Sequence, residues 1–212
     1  NGVLFLDEMP EFGHSVLEVL RQPMEDKHIT ISRVRYTVDY PSNFTLVASM
    51  NPCPCGYYNH PTKECSCSAA AVHRYVGRIS GPLMDRIDLH VEITPVKREE
   101  LSSSELSESS AAVRERVIRA RERQAERFRG TGIYTNTMMS SAMLREFCPL
   151  SAEARRLLDV AMERLQLSAR AYDRIIKVAR TIADLAGEQD IAPSHISEAI
   201  TYRTLDRESW GR

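Results

Sequence analysis

The chain carries no excess of either charge. Its 28 Lys and Arg stand against 29 Asp and Glu in 212 residues, a formal net charge of -1. A globally basic nucleic-acid protein is excluded, although a local basic patch is not. No apolar run approaches the ~18 residues of a spanning helix, so no membrane partner is expected. With 9 glycines and 10 prolines, collagen-like and wholly disordered chains are excluded too. Cysteine is scarce and clustered: four of the five lie between Cys53 and Cys67, and Cys148 stands alone. That is not the spread framework of a disulfide-stapled secreted domain. With no secretion signal in view, it favours a reducing, cytoplasmic compartment and a metal. The first residue is Asn1, which leads straight into an apolar run, so the chain is expected to be cut from a longer one.

What remains is ordinary globular material, 42% apolar and 27% charged, enough for one large or two small domains. Residues 2–6 (Gly-Val-Leu-Phe-Leu) form a continuous apolar run of strand length, as in a buried parallel strand. Residues 11–24 have helical apolar spacing. Residues 29–31 and 34–38 alternate around Ser32-Arg33 and predict a β-hairpin. Residues 44–50 predict a second buried strand ending at Asn51-Pro52, residues 69–78 a helix, and residues 89–93 a third short strand. The serine- and glutamate-rich residues 99–110 read as a linker. Beyond it every segment is helical: 111–129, 138–147, 152–165, 169–185, and one opened by Pro193. The expected fold class is α/β with a parallel sheet, followed by an all-α domain. The boundaries are 1–97 with a Cys-rich insert at 53–67, then 98–136 for linker and basic helix, then 137–212.

Four places carry chemistry, each with a bland alternative. Asp7-Glu8 follows an apolar strand, which puts two carboxylates at the edge of a sheet where α/β proteins bind ligands. There one can face the Mg²⁺ of a nucleotide and the other a water, but many strands simply end in a charged turn. Asn51 ends the second strand, where Asn before Pro is also a common turn residue. Arg86 precedes the third strand and can stabilise phosphoryl-transfer charge, or merely pair with Asp85 or Asp88. Arg170 opens a helix, where its charge opposes the helix dipole and invites an anion, or it is a plain surface arginine near Asp173.

In order and spacing, these places resemble the AAA+ ATPases. The runs 51–56 (Asn-Pro-Cys-Pro-Cys-Gly), 78–91 around Gly81-Pro82-Leu83-Met84-Asp85-Arg86, and 177–185 are similar to the magnesium-chelatase-like branch, ComM/YifB type. The resemblance implies a partial P-loop NTPase core followed by a helical lid. It implies ATP with Mg²⁺ as cofactors, a Walker B pair in Asp7 and Glu8, sensor 1 in Asn51, and an arginine finger in Arg86 acting on a neighbouring subunit. It also implies a sensor 2 arginine in Arg170, with Arg174 as second choice. The intact protein is then an ATPase working as a ring, a hexamer, on DNA, in translocation or branch migration during transformation and recombination. Two alternatives stay open: a chelatase subunit driving metal into a porphyrin, and a non-catalytic remodelling or binding protein. The family's phosphate loop, Gly-x-x-x-x-Gly-Lys-Ser/Thr, is missing, and no Gly-Lys pair occurs. The loop is expected upstream of Asn1, and this stretch alone is expected neither to bind ATP tightly nor to hydrolyse it.

Cys53-x-Cys55 and Cys65-x-Cys67 can supply four thiolates to a structural Zn²⁺. The one-residue spacing is tighter than usual, so free thiols and disulfides remain alternatives, and His60 and His73 are spare ligands. The helix 111–129 holds seven arginines against three glutamates. It can meet a phosphate backbone, or be a solvated face with pairs such as Arg119 with Glu122 and Arg123 with Glu126. The hairpin at Ser32-Arg33, and Tyr57 and Tyr58 as stacking rings, are rival contacts.

Overall fold

A computed structural model describes residues 2–95 and 108–203. They divide into two compact units, 2–87 and 88–203. The expected linker lies for the most part outside the described residues.

In the first unit, β1 (Gly2–Leu6) and β4 (Phe44–Ala48) pair in parallel, with Gly2 opposite Phe44 and Leu6 opposite Ala48. Between them, β2 (His28–Arg33) and β3 (Tyr36–Pro41) form an antiparallel hairpin. Its closing pair is Arg33 and Tyr36, so the turn is Val34-Arg35, two residues beyond the Ser32-Arg33 of the sequence pattern. One face of the parallel pair packs on a core of Met9, Leu17, Ile79 and Leu83, reinforced by Leu6, Leu20, Met24 and Ile87. The other face is open: Val3 is 71% and Phe5 59% exposed, and Val47 is also exposed. The expected two-sided burial of these strands therefore holds on one side only among the described residues.

The single helix expected over 11–24 is instead a 3-10 turn at Met9–Glu11, α1 (His14–Val19) and α2 (Arg21–Asp26). Pro23 explains the break at Leu20. It has no N–H to give to the Val19 carbonyl, and its ring crowds that turn, so it sits in the first turn of a new helix. After the Cys-rich loop come α3 (Ala69–Val76) and the short α4 (Gly81–Met84), capped by the Ser68 and Ser80 hydroxyls.

The second unit is helical: α5 (Ser110–Arg127), α6 (Ser141–Phe147), α7 (Ala152–Leu165), α8 (Ala169–Ala186) and α9 (Pro193–Thr201). The hydroxyls of Ser109, Ser140, Ser151 and Ser168 accept the amide three residues on, at 3.1–3.3 Å, and fix four helix starts. Gly187, at φ 84°, ends α8, with the Glu188 amide turned back to the Ala183 carbonyl. Ile175, Ile176 and Ala179 of α8 pack with Leu144, Leu158, Ile191 and Ile196 in the core. The third strand expected at 89–93 is absent. In that segment Leu89, Val91 and Ile93 are exposed, and its described backbone bond is from His90 N–H to the Tyr202 carbonyl. One bond is not a ladder, and alternation without a neighbouring strand leaves a loop.

Candidate active site

Parallel pairing of β1 and β4 ends both strands at one edge, and the residues just beyond them converge. The Ser49 amide bonds to the Leu6 carbonyl at 2.9 Å, and the Met9 amide to the Ser49 carbonyl at 2.8 Å. This extends the register by one step and sets Ser49 beside Asp7. The Ser49 hydroxyl donates to Asp7 Oδ1 at 2.5 Å and accepts the Glu8 N–H at 3.0 Å. Asn51 Nδ2 donates to Glu8 Oε1 at 3.4 Å. Three of the expected site residues, Asp7, Glu8 and Asn51, thus meet, joined by a serine that the sequence pattern did not single out. Its only signal was a hydroxyl in the first position past a buried strand, level with the Asp.

Glu8 has φ 49° and ψ 52°, a left-handed conformation for a residue with a Cβ. Such backbone costs about 1–2 kcal/mol and persists where surrounding bonds over-determine it. Here the Ser49 hydroxyl and the turn into Met9-Pro10 hold it. The result aims the Glu8 carboxylate at the Asn51 amide. Two carboxylates, a hydroxyl and an amide carbonyl present hard oxygen ligands, and such carboxylates suit Mg²⁺ carried by a nucleotide.

The described bonds of Arg86 do not reach this cluster. Its guanidinium is paired with Glu25, donates to the Pro82 carbonyl at 2.7 Å, and is only 8% exposed. Glu25 was not foreseen as its partner, and neither Asp85 nor Asp88 takes that place. Arg170 and Arg174 belong to the second unit. Arg170 is exposed on the first turn of α8, and Arg174 is paired with Asp88.

The Cys-rich loop places four sulfurs within 4.8 Å of one another. Sulfur separations are 3.4 Å for Cys53–Cys55, 3.7 Å for Cys53–Cys65 and 3.6 Å for Cys55–Cys65, and all four are free thiols. Gly56, at φ 81°, closes the turn after Cys55, with its amide bonded to the Cys53 carbonyl at 3.0 Å. Backbone amides point at the sulfurs: those of Tyr57 and Ser66 at Cys55, Cys67 at Cys65, and Cys55 at Cys67. The Tyr57 amide above all draws the Cys55 thiol down to about 5. The spare histidines stay apart. His60 Nδ1 accepts the amides of Thr62 and Lys63 at 3.2 and 3.1 Å, and His73 lies on α3 outside the cluster. Tyr57 packs edge-on against His60 with Lys63 over its ring, the ordinary role of a loop tyrosine.

Much of the arginine-rich helix is internally satisfied. Arg116 pairs with Glu108, Arg119 with Glu115 rather than Glu122, and Glu126 with Arg129 rather than Arg123. Arg127 reaches into the second unit's interior. It joins Asp184, whose side chain is fully buried, and Asn136, while Arg180 approaches the same carboxylate at 3.3 Å.

Two family descriptions match in tandem. "Magnesium chelatase, subunit ChlI" covers residues 1–101, and "Magnesium chelatase, subunit ChlI C-terminal" covers residues 107–203. The chain is 44% identical over 208 residues to "Competence protein ComM" of Haemophilus influenzae, and 44% identical over 210 residues to "Uncharacterized protein YifB" of Escherichia coli. Each alignment covers 98% of this chain and 40% of the relative. The chain belongs to the magnesium-chelatase-like family, ComM/YifB type. A mycobacterial relative, "Uncharacterized protein Rv2897c", is 41% identical over 202 residues. The family is a group of AAA+-type ATPases, and its fold accounts for the parallel pair with carboxylates at one edge and for the separate helical unit. The chain spans about two-fifths of the length of these relatives. Among the described residues, no helix is long and apolar enough to cross a membrane.

Proposed function

We propose that the intact protein hydrolyses Mg-ATP between the subunits of a cytoplasmic ring, a hexamer, and uses the energy to translocate DNA or drive branch migration. The observation that carries the ATPase reading is the joining of Asp7, Ser49, Glu8 and Asn51 at the carboxyl edge of two parallel strands. Asp7 is the carboxylate facing the nucleotide's Mg²⁺, which would neutralise phosphate charge when bound. Glu8 orients the attacking water and takes its proton, and Asn51 fixes Glu8 and reaches the terminal phosphate. Arg86, held by Glu25 within its own chain, exchanges that carboxylate for the nucleotide of a neighbouring subunit. Arg170, or Arg174 in its place, closes the helical lid on the phosphates. These 212 residues alone, without a Gly-Lys phosphate loop, are proposed to turn over no ATP.

Similarity to a protein named for competence favours DNA as the substrate. The chelatase descriptions favour a second reading, an ATPase subunit that drives metal insertion into a porphyrin. A non-catalytic role is disfavoured, because a vestigial site has no need to hold Glu8 in a costly conformation. The test is ATP turnover by the full-length protein with and without single-stranded and branched DNA. Stimulation by DNA supports the motor. Turnover indifferent to every DNA contradicts it and favours the chelatase reading.

A further inference from the structure

The four sulfurs of the Cys-rich loop have the spacing of a metal's coordination shell. A tetrahedral Zn²⁺ with Zn–S bonds of about 2.3 Å sets its ligands about 3.8 Å apart. The three measured separations are 3.4–3.7 Å, and the fourth sulfur is within 4.8 Å of each. Disulfides need sulfurs about 2.05 Å apart, and one cysteine lies near several others rather than near one partner. Backbone N–H groups point at three of the sulfurs, as outer-shell donors do around thiolate metal sites. An all-sulfur set is soft, so it selects Zn²⁺ over the Mg²⁺ of the nucleotide.

The cluster is also tied to the active site. Cys53 is fully buried and lies two residues after Asn51. The next helix, α3, begins two residues after Cys67 and carries Tyr75, whose hydroxyl lies near the Asn51 backbone amide. Tyr75 is itself buried. The loop that the four cysteines close thus starts beside Asn51 and ends in the helix whose Tyr75 lies near it.

We propose that Cys53, Cys55, Cys65 and Cys67 bind one structural Zn²⁺, and that this ion fixes the loop that presents Asn51 to Glu8. The metal site stands on the sulfur geometry. Its effect on catalysis rests on the ATPase reading, so the test separates them. Full-length protein purified without chelator is analysed for metal, beside Cys65→Ser and a Cys148→Ala control, whose cysteine lies in the other unit. Hydrogen exchange of peptides covering residues 47–56 is measured on each and on chelator-treated wild type. The expected result is close to one zinc per chain in wild type and control, less than a tenth of that in Cys65→Ser, and at least tenfold faster exchange at Asn51 whenever zinc is lost. Reconstitution with Co²⁺ gives the absorption of a tetrahedral thiolate site. If Cys65→Ser fails to fold, the chelated wild type carries the comparison. Less than a tenth of a zinc in wild type, with four freely titrating thiols, overturns the site. Zinc present but Asn51 exchange unchanged on its removal overturns the bracing role. Neither readout requires ATP turnover, so failure of the ATPase reading leaves both intact.

Discussion

Replacing Ser49 by Ala removes a single oxygen from the site and leaves the scaffold standing. The backbone bonds of Ser49, to Leu6 and from Met9, do not involve its side chain. Two things are lost: a bond to the Asp7 carboxylate at 2.5 Å and one from the Glu8 amide at 3.0 Å. A bond to a charged group is worth about 1.5–3 kcal/mol, and a neutral one about 1 kcal/mol. Both lie near solvent, where water replaces part of each, so a net loss of about 1.5–2.5 kcal/mol is expected. The Glu8 turn, costing about 1–2 kcal/mol by itself, then loses its main side-chain restraint. If the loss falls on positioning of Glu8, kcat drops about 10- to 70-fold, while the KM for ATP changes less than about threefold. Ser49→Thr, which keeps the hydroxyl, should recover most of the activity. The assay is steady-state ATP turnover by the full-length protein. A kcat for Ser49→Ala within twofold of wild type, or equal losses in Ala and Thr variants, would refute the assigned role.

Two further predictions concern stability. Arg127→Ala leaves the buried Asp184 carboxylate with Arg180 and Asn136 but without its two-bonded partner. Breaking such a pair costs about 3–5 kcal/mol, here at the lower end, whereas Arg114→Ala and Arg121→Ala on exposed parts of the same helix should stay within about 0.5 kcal/mol. Urea unfolding followed by circular dichroism distinguishes these, and equal effects would contradict the division of the helix into an anchor and a solvated face. Glu18 receives the Ser80 hydroxyl, first in effect, and the Arg21 guanidinium, which hold its carboxyl below the usual 4.5. Because its folded pKa is depressed, its contribution is complete above about pH 4.5 and lost as pH falls through the folded value. The stability gap between wild type and Glu18→Gln should therefore be constant near neutrality and close in acid. A gap that widens in acid contradicts the sign.

The elements that carried a complete local signal were legible in the sequence. Leu4-Phe5-Leu6-Asp7-Glu8 gave both a strand and its terminal carboxylates. The helices expected over 152–165 and 169–185 begin directly after Ser151 and Ser168, whose hydroxyls cap them, whereas the Ser140 cap starts α6 three residues later than the expected 138. What failed depends on partners distant in sequence. Residues 89–93 alternate like a strand but have no ladder to join among the described residues. Ser49 gains meaning only through the parallel register that sets it 42 residues away from Asp7 in the chain, at bonding distance in space. Arg86 finds Glu25, 61 residues back, because α4 and α2 belong to one unit, and no spacing rule encodes that pairing. Glu8's left-handed turn was invisible as well, since nothing about a glutamate favours φ above zero.

In the proposed ATPase, Glu8 is the residue that activates water on a bound nucleotide. That role is tested most directly by measuring Mg-ATP binding and turnover together in the full-length protein and its Glu8→Gln variant. Gln keeps the shape, and it keeps an oxygen for the Asn51 amide, but it cannot take a proton. The expected result is ATP affinity within about threefold of wild type and turnover reduced by at least about 100-fold, the scale of a lost general base. Turnover that survives in Glu8→Gln, or a wild type that hydrolyses no ATP at all, would contradict it.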